Sequence, residues 1–321
     1  MTPAGRPDPG KLLAAAADGD RVALARLLSL VERGGAPARE LAGLAYRTPT
    51  PYTVGLTGAP GAGKSTLTDR LLACARAGWA DEPVAQVAVL AVDPTSPFTG
   101  GAILGDRVRM QDHATDPTMF IRSMATRGHL GGLTLAVPDA VRVLGAAGFP
   151  LVLVETVGVG QMEVEVASAT DTTAVVVTPG WGDSMQAAKA GLLEVADLFV
   201  INKGDRPGAA TARRDLEQML DLAPPAEWRP PIVDTVATTG EGVEELWAAV
   251  ADHRTFLRDG GRLERRRAAR LDHELRRVLQ ARLTERVDEL TGSADFAETA
   301  RALAEGRLDP YEAADRLLDA G

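Results

Sequence analysis

The chain has almost nothing with which to build a disulfide or a thiolate metal site. One cysteine, Cys74, stands among 321 residues, and the four histidines, His113, His129, His253 and His273, are isolated from one another. That excludes a disulfide-stapled scaffold and a Cys/His cluster of metal-binding spacing. No segment approaches the roughly 18 apolar residues that a membrane-crossing helix needs, and the opening MTPAGRPDPG lacks the apolar centre of a secretion signal. Basic charge is also short: 35 Lys and Arg against 44 Asp and Glu leave a net charge of -9, which opposes phosphate backbones and anionic membranes. Together these absences lead to the expectation of a soluble protein of the reducing cytoplasm, with no nucleic acid and no membrane as partner.

What is present is ordinary globular material, 45% hydrophobic and 25% charged, in three zones. Residues 1–50 hold an Ala/Leu-rich stretch, DPGKLLAAAADGDRVALARLLSLVERG, which reads as one or two short helices before a Pro-rich joint, TPTPY. Across residues 51–258 short apolar runs (YTVGLT, VAVLAV, TMFIRS, LVLVE, TAVVVT, LFVIN, PIVDT) alternate with helical stretches. This rhythm predicts an α/β fold, a doubly wound and mostly parallel sheet wrapped by helices. Residues 259–321 begin with one long amphipathic helix carrying Leu271, Leu275, Val278, Leu283, Val287 and Leu290 near helical spacing, followed by two shorter helices. Only the preceding domain or a second copy could bury that stripe, so a homodimer is expected.

The strongest chemical signal is GAPGAGKST, which matches G-x-x-x-x-G-K-[ST] at a strand-to-helix turn. Gly58, Gly61 and Gly63, with Ala59, Pro60 and Ala62 between them, let successive backbone N–H groups face a phosphate. The helix that follows adds the positive end of its dipole. Lys64 reaches the β/γ-phosphates, Ser65 is placed for Mg²⁺, and Thr66 serves the α-phosphate or the helix start.

The base is read further on. LFVINKGD contains N-K-x-D as Asn202, Lys203 and Asp205. A carboxylate at Asp205 accepts two parallel hydrogen bonds from guanine N1–H and its 2-amino group, and adenine offers no such pair. GTP is thereby favoured over ATP. Asn202 braces the loop, and the stem of Lys203 lies over the purine. Val236, Ala237 and Thr238, in VATTGEG, supply backbone for guanine O6, although Thr/Gly turns are common in any protein.

The metal-side carboxylates are sought at strand ends: Asp93, Asp106 and Glu155. Asp93 opens a long Gly/Pro/Thr-rich segment suited to a nucleotide switch; the alternative for Asp93 is a helix or turn cap, and Asp106, in its G-D-R setting, reads as readily as an ordinary capping residue. Glu155 ends the strand in LVLVETVGVGQ, where an aspartate is the usual choice, and Gly158 offers an N–H to the γ-phosphate. Gln161 is the polar side chain nearest to a water-orienting position, or a surface residue. Arg107, Arg109 and Arg127 are the candidates for an arginine finger.

The strings GAPGAGKST, VDPTSPFTGGAILGDRVRM, SMATRGHLGGL, ETVGVGQ, GWGDSMQAAKAGLLEVADLFVINK and VATTGEGVEELW resemble, in order and spacing, the MeaB/ArgK family of P-loop GTPases. These are bacterial counterparts of the human methylmalonic aciduria type A protein. The resemblance implies a P-loop NTPase fold with an N-terminal helical extension and a C-terminal helical dimerisation arm. It also implies a slow, partner-stimulated GTPase using GTP/GDP and Mg²⁺ as a chaperone. Its partner would be an adenosylcobalamin-dependent acyl-CoA mutase, usually methylmalonyl-CoA mutase, whose cofactor loading it gates and which it protects. Lys64 and Ser65 fall on phosphate and Mg²⁺ roles, Asp93 and Asp106 on the first switch, and Glu155 on the metal-side carboxylate. Lys189 falls on a partner-responsive switch, where from its residue type alone it would be a solvated helix lysine. Met162 and Trp181 depart from the family pattern. Rival readings are a metallochaperone GTPase delivering a metal to another enzyme, a small-molecule or transport-associated kinase, and a scaffold built on the long helix.

Overall fold

The computed structural model describes residues 8–79, 82–94, 116, 118–126, 132–156, 169–180 and 195–319. Seven strands form one sheet: β1 (Tyr52–Thr57), β2 (Val87–Pro94), β3 (Met119–Thr126), β4 (Leu151–Thr156), β5 (Thr172–Val177), β6 (Leu198–Asn202) and β7 (Ile232–Thr235). Their order is β3-β2-β4-β1-β5-β6-β7, and every pair is parallel. The seven apolar runs in the sequence are these seven strands.

The helices between them explain why both strand faces are apolar. Around the sheet lie α1 (Pro9–Ala17), α2 (Arg21–Arg33), α3 (Gly35–Ala45), α4 (Lys64–Ala77), α5 (Gly132–Ala146), α6 (Ala209–Leu222) and α7 (Val243–Arg258). On one face Val54, Leu56, Leu153, Val176 and Val200 pack with Leu67 and Leu71 of α4 and Leu246 and Val250 of α7. On the other face Leu90, Val152 and Val154 pack with Leu24, Leu27, Leu28 and Leu41 of the N-terminal helices and Val141 and Leu144 of α5. Phe199 and Ile201 meet Leu216 and Leu220 of α6. Alternate residues of one strand thus serve opposite cores, as a doubly wound sheet requires.

The N-terminal helices are part of that covering layer. Asp8 and Asp20 cap α1 and α2, each carboxylate accepting from two first-turn N–H groups. Leu27, Leu28 and Leu41 are fully buried, and each contributes about 1.5–3 kcal/mol through burial. The third helix, α3, was not expected from the sequence. Gly35 and Pro37 at its start are weak helix formers, but Leu41 and Ala45 pay back that deficit by packing into the core.

The amino ends of β5 and β6 are fastened by charge. Asp171 accepts from Thr53 N–H at 3.1 Å and from the Arg267 fork at 3.1 and 2.6 Å. Asp197 accepts from Thr173 N–H at 2.8 Å and from both Nη atoms of Arg266 at 2.8 Å. His253, buried in α7, stands 3.3 Å from Asp197 through Nε2 and 2.9 Å from Thr172 Oγ1 through Nδ1. Burial holds its imidazole down to about 4.

The chain divides into two compact units, one up to Ala268 and one from Ala269. The helix α8 (Arg262–Thr291) begins in the first and ends in the second, which also contains α9 (Ala294–Ala304) and α10 (Pro310–Asp319). Ser293 caps α9, its Oγ accepting from Phe296 N–H at 3.1 Å, and Arg316 bridges α10 to Glu298 of α9 at 3.1 Å. Leu275, Leu279, Leu283 and Val287 of α8 are all more than half exposed.

Candidate functional site

Ligand sites in open α/β sheets form beyond the carboxyl ends of the strands, and here β1 runs at that end into Gly58–Gly63 and then α4. The loop is folded on positive-φ glycines: Gly58 at φ 136, Gly61 at 76 and Gly63 at 89. A Cβ on Gly58 would run into the Val176 carbonyl of β5, and one on Gly63 into the Asn202 amide, so these two positions need glycine for space as well as for conformation. Lys64 is buried, and its Nζ donates to the carbonyls of Gly58 at 2.7 Å and Ala59 at 3.0 Å. No side chain caps the start of α4. The ammonium and the helix N-terminus therefore converge on one loop, an arrangement that suits a polyphosphate.

Ser65, in the first turn of α4, donates from Oγ to Glu155 Oε1 at 2.6 Å. Both are buried. Glu155 pairs in register with Leu56 of β1 and Ala91 of β2, which centres it in the sheet beneath the loop. Asp93 lies on β2 two residues beyond Ala91, opposite Ala125 of β3. The next residue on β4, Thr156, donates to Thr57 Oγ1 at 3.1 Å and ties β4 to the last residue of β1. Hydroxyl and carboxylate oxygens with few protein ligands are a donor set that fits Mg²⁺, which takes its remaining positions from phosphate and water.

Asn202 joins three segments. Its Nδ2 donates to the Ala62 carbonyl at 2.7 Å, and its Oδ1 accepts from Thr235 Oγ1 at 3.2 Å and Ala237 N–H at 3.1 Å. Lys203 holds φ at 62, and its Nζ reaches the Gly61 carbonyl at 2.8 Å. The N-K pair thus stitches the end of β6 to the phosphate loop and to the segment after β7. Asp205 lies on the exposed side of that loop, so its carboxylate is hydrated before any base arrives.

The 236–238 segment is a tight turn. Val236 N–H donates to Glu241 at 2.9 Å, and Thr239 and Gly240 N–H groups return to the Val236 carbonyl at 3.1 and 2.9 Å. Arg70 of α4 donates from Nε to the Ala237 carbonyl at 3.2 Å and from Nη2 to the Thr238 carbonyl at 3.0 Å.

Gly58 to Thr66, Asn202, Lys203, Asp205, Glu155 and Val236 to Thr238 therefore surround one end of the sheet. Asp106, Gly158, Lys189, Gln161, Met162, Trp181, Arg107, Arg109 and Arg127 lie outside the described residues, and Asp93 is described in its backbone alone. Arg70, Thr235, Thr57 and Thr156 were not singled out from the sequence. Thr235 sits just before VATTGEG and was within reach of a motif reading. Arg70 binds only backbone carbonyls, which leave no mark in a sequence.

Comparison with known proteins extends this geometry. The family model described as methylmalonyl-CoA mutase-associated GTPase, MeaB, matches residues 24–291. A putative GTPase of Pyrococcus abyssi is 48% identical over 305 residues, covering 94% of this chain and 93% of its own. The mouse mitochondrial methylmalonic aciduria type A homolog is 32% identical over 94% of this chain and 77% of its own. Among solved structures, one described as an LAO/AO transport system kinase superposes with a TM-score of 0.69 at 30% identity, covering 97% of this chain and 96% of that one.

Proposed function

The chain belongs to the MeaB family of methylmalonyl-CoA mutase-associated GTPases and is a guanine-nucleotide-binding GTPase, and from that premise we propose that it acts as a nucleotide-gated chaperone of an adenosylcobalamin-dependent acyl-CoA mutase, methylmalonyl-CoA mutase first among them. GTP binding and hydrolysis gate cofactor loading and protect the mutase from inactivation. The observation that most supports a switch is the Ser65–Glu155 hydrogen bond at 2.6 Å. It couples the start of the phosphate-binding helix to the strand that leads into TVGVG, so a change at the phosphates reaches that segment through one side chain.

In this reading the loop N–H groups of residues 58–66, Lys64 and the α4 N-terminus hold the phosphates, and Lys64 turns from the Gly58 and Ala59 carbonyls to the β/γ oxygens. Asp205 reads guanine N1–H and the 2-amino group, Lys203 covers the ring, and the 236–238 backbone serves O6. Ser65 and Glu155, with Asp93 and Asp106, would hold Mg²⁺, which when bound neutralises charge on the β- and γ-phosphates. The Gly158 N–H meets the γ-phosphate, and Lys189 answers the bound partner. As the bond to the β-phosphate loosens, Lys64 and the loop N–H groups absorb the charge that shifts onto the leaving oxygen. Turnover by the chain alone is slow and rises on the mutase.

The exposed Leu/Val face of α8 supports the dimer, with residues 259–321 as the arm that forms it. Retention of purified mutase on the immobilised full chain, loaded with GDP or with a non-hydrolysable GTP analogue, tests the proposal. Retention that depends on the nucleotide supports it, and no retention with either refutes it.

A further inference from the structure

We infer that Arg70 is a positioning residue for guanine recognition: from the helix that carries the phosphate-binding Lys64 and Ser65, it orients the 236–238 segment so that the Thr238 N–H meets guanine O6. The inference rests on the reading of that segment as the O6 side of the base site.

The N–H inventory of the turn identifies the donor. Val236 N–H is used by Glu241, Ala237 N–H by Asn202 Oδ1, and Thr239 and Gly240 N–H by the Val236 carbonyl. Among the described residues the Thr238 N–H has no intramolecular acceptor. Its direction is set by Arg70. The Ala237 carbonyl and the Thr238 N–H belong to one planar peptide and point to opposite sides of it, and the described chain contains no cis peptide. With the carbonyl held toward α4 by Arg70 Nε at 3.2 Å, the N–H is directed away from α4.

The second donor completes the hold. Arg70 Nη2 takes the Thr238 carbonyl at 3.0 Å, so the planar guanidinium grips two successive peptides and fixes their relative rotation. A lysine ammonium lacks the fixed planar fork and would not set the relative rotation of the two peptides in the same way. Asn202 fixes the same turn from the other side through Ala237 N–H at 3.1 Å. One arginine and one asparagine thus bracket Ala237. Asn202 also sets the phosphate loop, through Ala62, whereas Arg70 bonds to the 236–238 side alone.

The test uses base analogues on the full chain. Replacing O6 by sulfur, in 6-thio-GDP, weakens the acceptor that Thr238 would meet, and IDP lacks the 2-amino group that Asp205 reads. The parent should prefer GDP over 6-thio-GDP by about tenfold, the value of one good hydrogen bond. In Arg70→Ala that preference should shrink to within about twofold, with Arg70→Lys between, while the GDP-over-IDP preference stays at the parent value. Arg70 is exposed, so the variants should keep the parent's unfolding transition. An undiminished preference against 6-thio-GDP in Arg70→Ala overturns the inference. So does a loss that reaches the GDP-over-IDP ratio equally, which would make Arg70 a general support of the pocket. A parent that binds GDP and 6-thio-GDP alike overturns the O6 reading of the segment itself, and the inference with it.

Discussion

Ser65 and Glu155 lie 90 positions apart in sequence and are joined by a 2.6 Å hydrogen bond, hydroxyl to carboxylate, within the protein interior. A glutamine at 155 keeps an acceptor for that hydroxyl and removes the charge. Glu155→Gln should therefore fold with a stability within about 1 kcal/mol of the parent. Its GTP turnover should fall at least about tenfold, and the Mg²⁺ concentration for half-maximal turnover should rise, as a lost metal-side carboxylate requires. Steady-state hydrolysis across a Mg²⁺ titration measures both, and parent-like values would remove Glu155 from the switch.

Asn202 is nearly fully buried and bonds to Ala62, Thr235 and Ala237. Asn202→Ala leaves one carbonyl, one hydroxyl and one N–H without their partner. The expected cost is about 2–4 kcal/mol of stability. GDP affinity should drop by more than about tenfold, because the phosphate and base segments lose their common tie. Thermal unfolding and calorimetric GDP titration report the two effects separately.

In the proposed reading Asp205 is the residue that selects the base. In Asp205→Asn the side chain accepts from N1–H but presents an NH₂ to the 2-position, where guanine also has an NH₂ and xanthine has a carbonyl. GTP affinity should fall roughly 100-fold and XTP affinity should rise above it, since two charge-assisted bonds are at stake. Competition of XTP and GTP against a fluorescent guanine nucleotide gives the ratio.

His253 makes stability depend on pH. Its neutral form fits the network: Nε2–H faces Asp197, and Nδ1 accepts from Thr172, whose oxygen lies 2.5 Å from Tyr52 Oη. Burial lowers its folded value to about 4 from an ordinary 6.5. Between those values the unfolded chain binds the proton and the folded chain does not, so stability rises with pH there. The contribution is complete above pH 6.5 and is lost as pH falls toward 4, by up to about 3 kcal/mol. Urea unfolding at pH 7.5 and at about pH 4.5 should show a larger loss for the parent than for His253→Gln, and equal losses would contradict the assignment.

Legibility differed by level. The strands were readable because a parallel sheet covered on both faces is continuously apolar, and Leu151–Val154 or Phe199–Ile201 cannot be mistaken for a solvent-facing alternation. α3 was not readable: its Gly35 and Pro37 look like a loop, and its helicity comes from Leu41 and Ala45 docking on partners far along the chain. The same holds for the role of α1 and α2 as a covering layer, since their Leu stripe says that something is buried but not against what. At the site, Gly58–Thr66 and Asn202–Asp205 are local patterns that spacing alone singles out, and the bonds of Asn202 and Lys203 to Ala62 and Gly61 bring them together. Arg70, by contrast, acts on two carbonyls 167 and 168 positions away, and no local pattern encodes a backbone acceptor.

The central claim is that the nucleotide cycle serves a mutase. Its most direct test is steady-state GTP turnover by the full chain with and without a stoichiometric amount of methylmalonyl-CoA mutase at fixed Mg²⁺. A rise of at least about tenfold on adding the mutase, of the kind a partner-completed phosphate site produces, is the expected result. Unchanged turnover while the mutase is demonstrably bound would contradict the account.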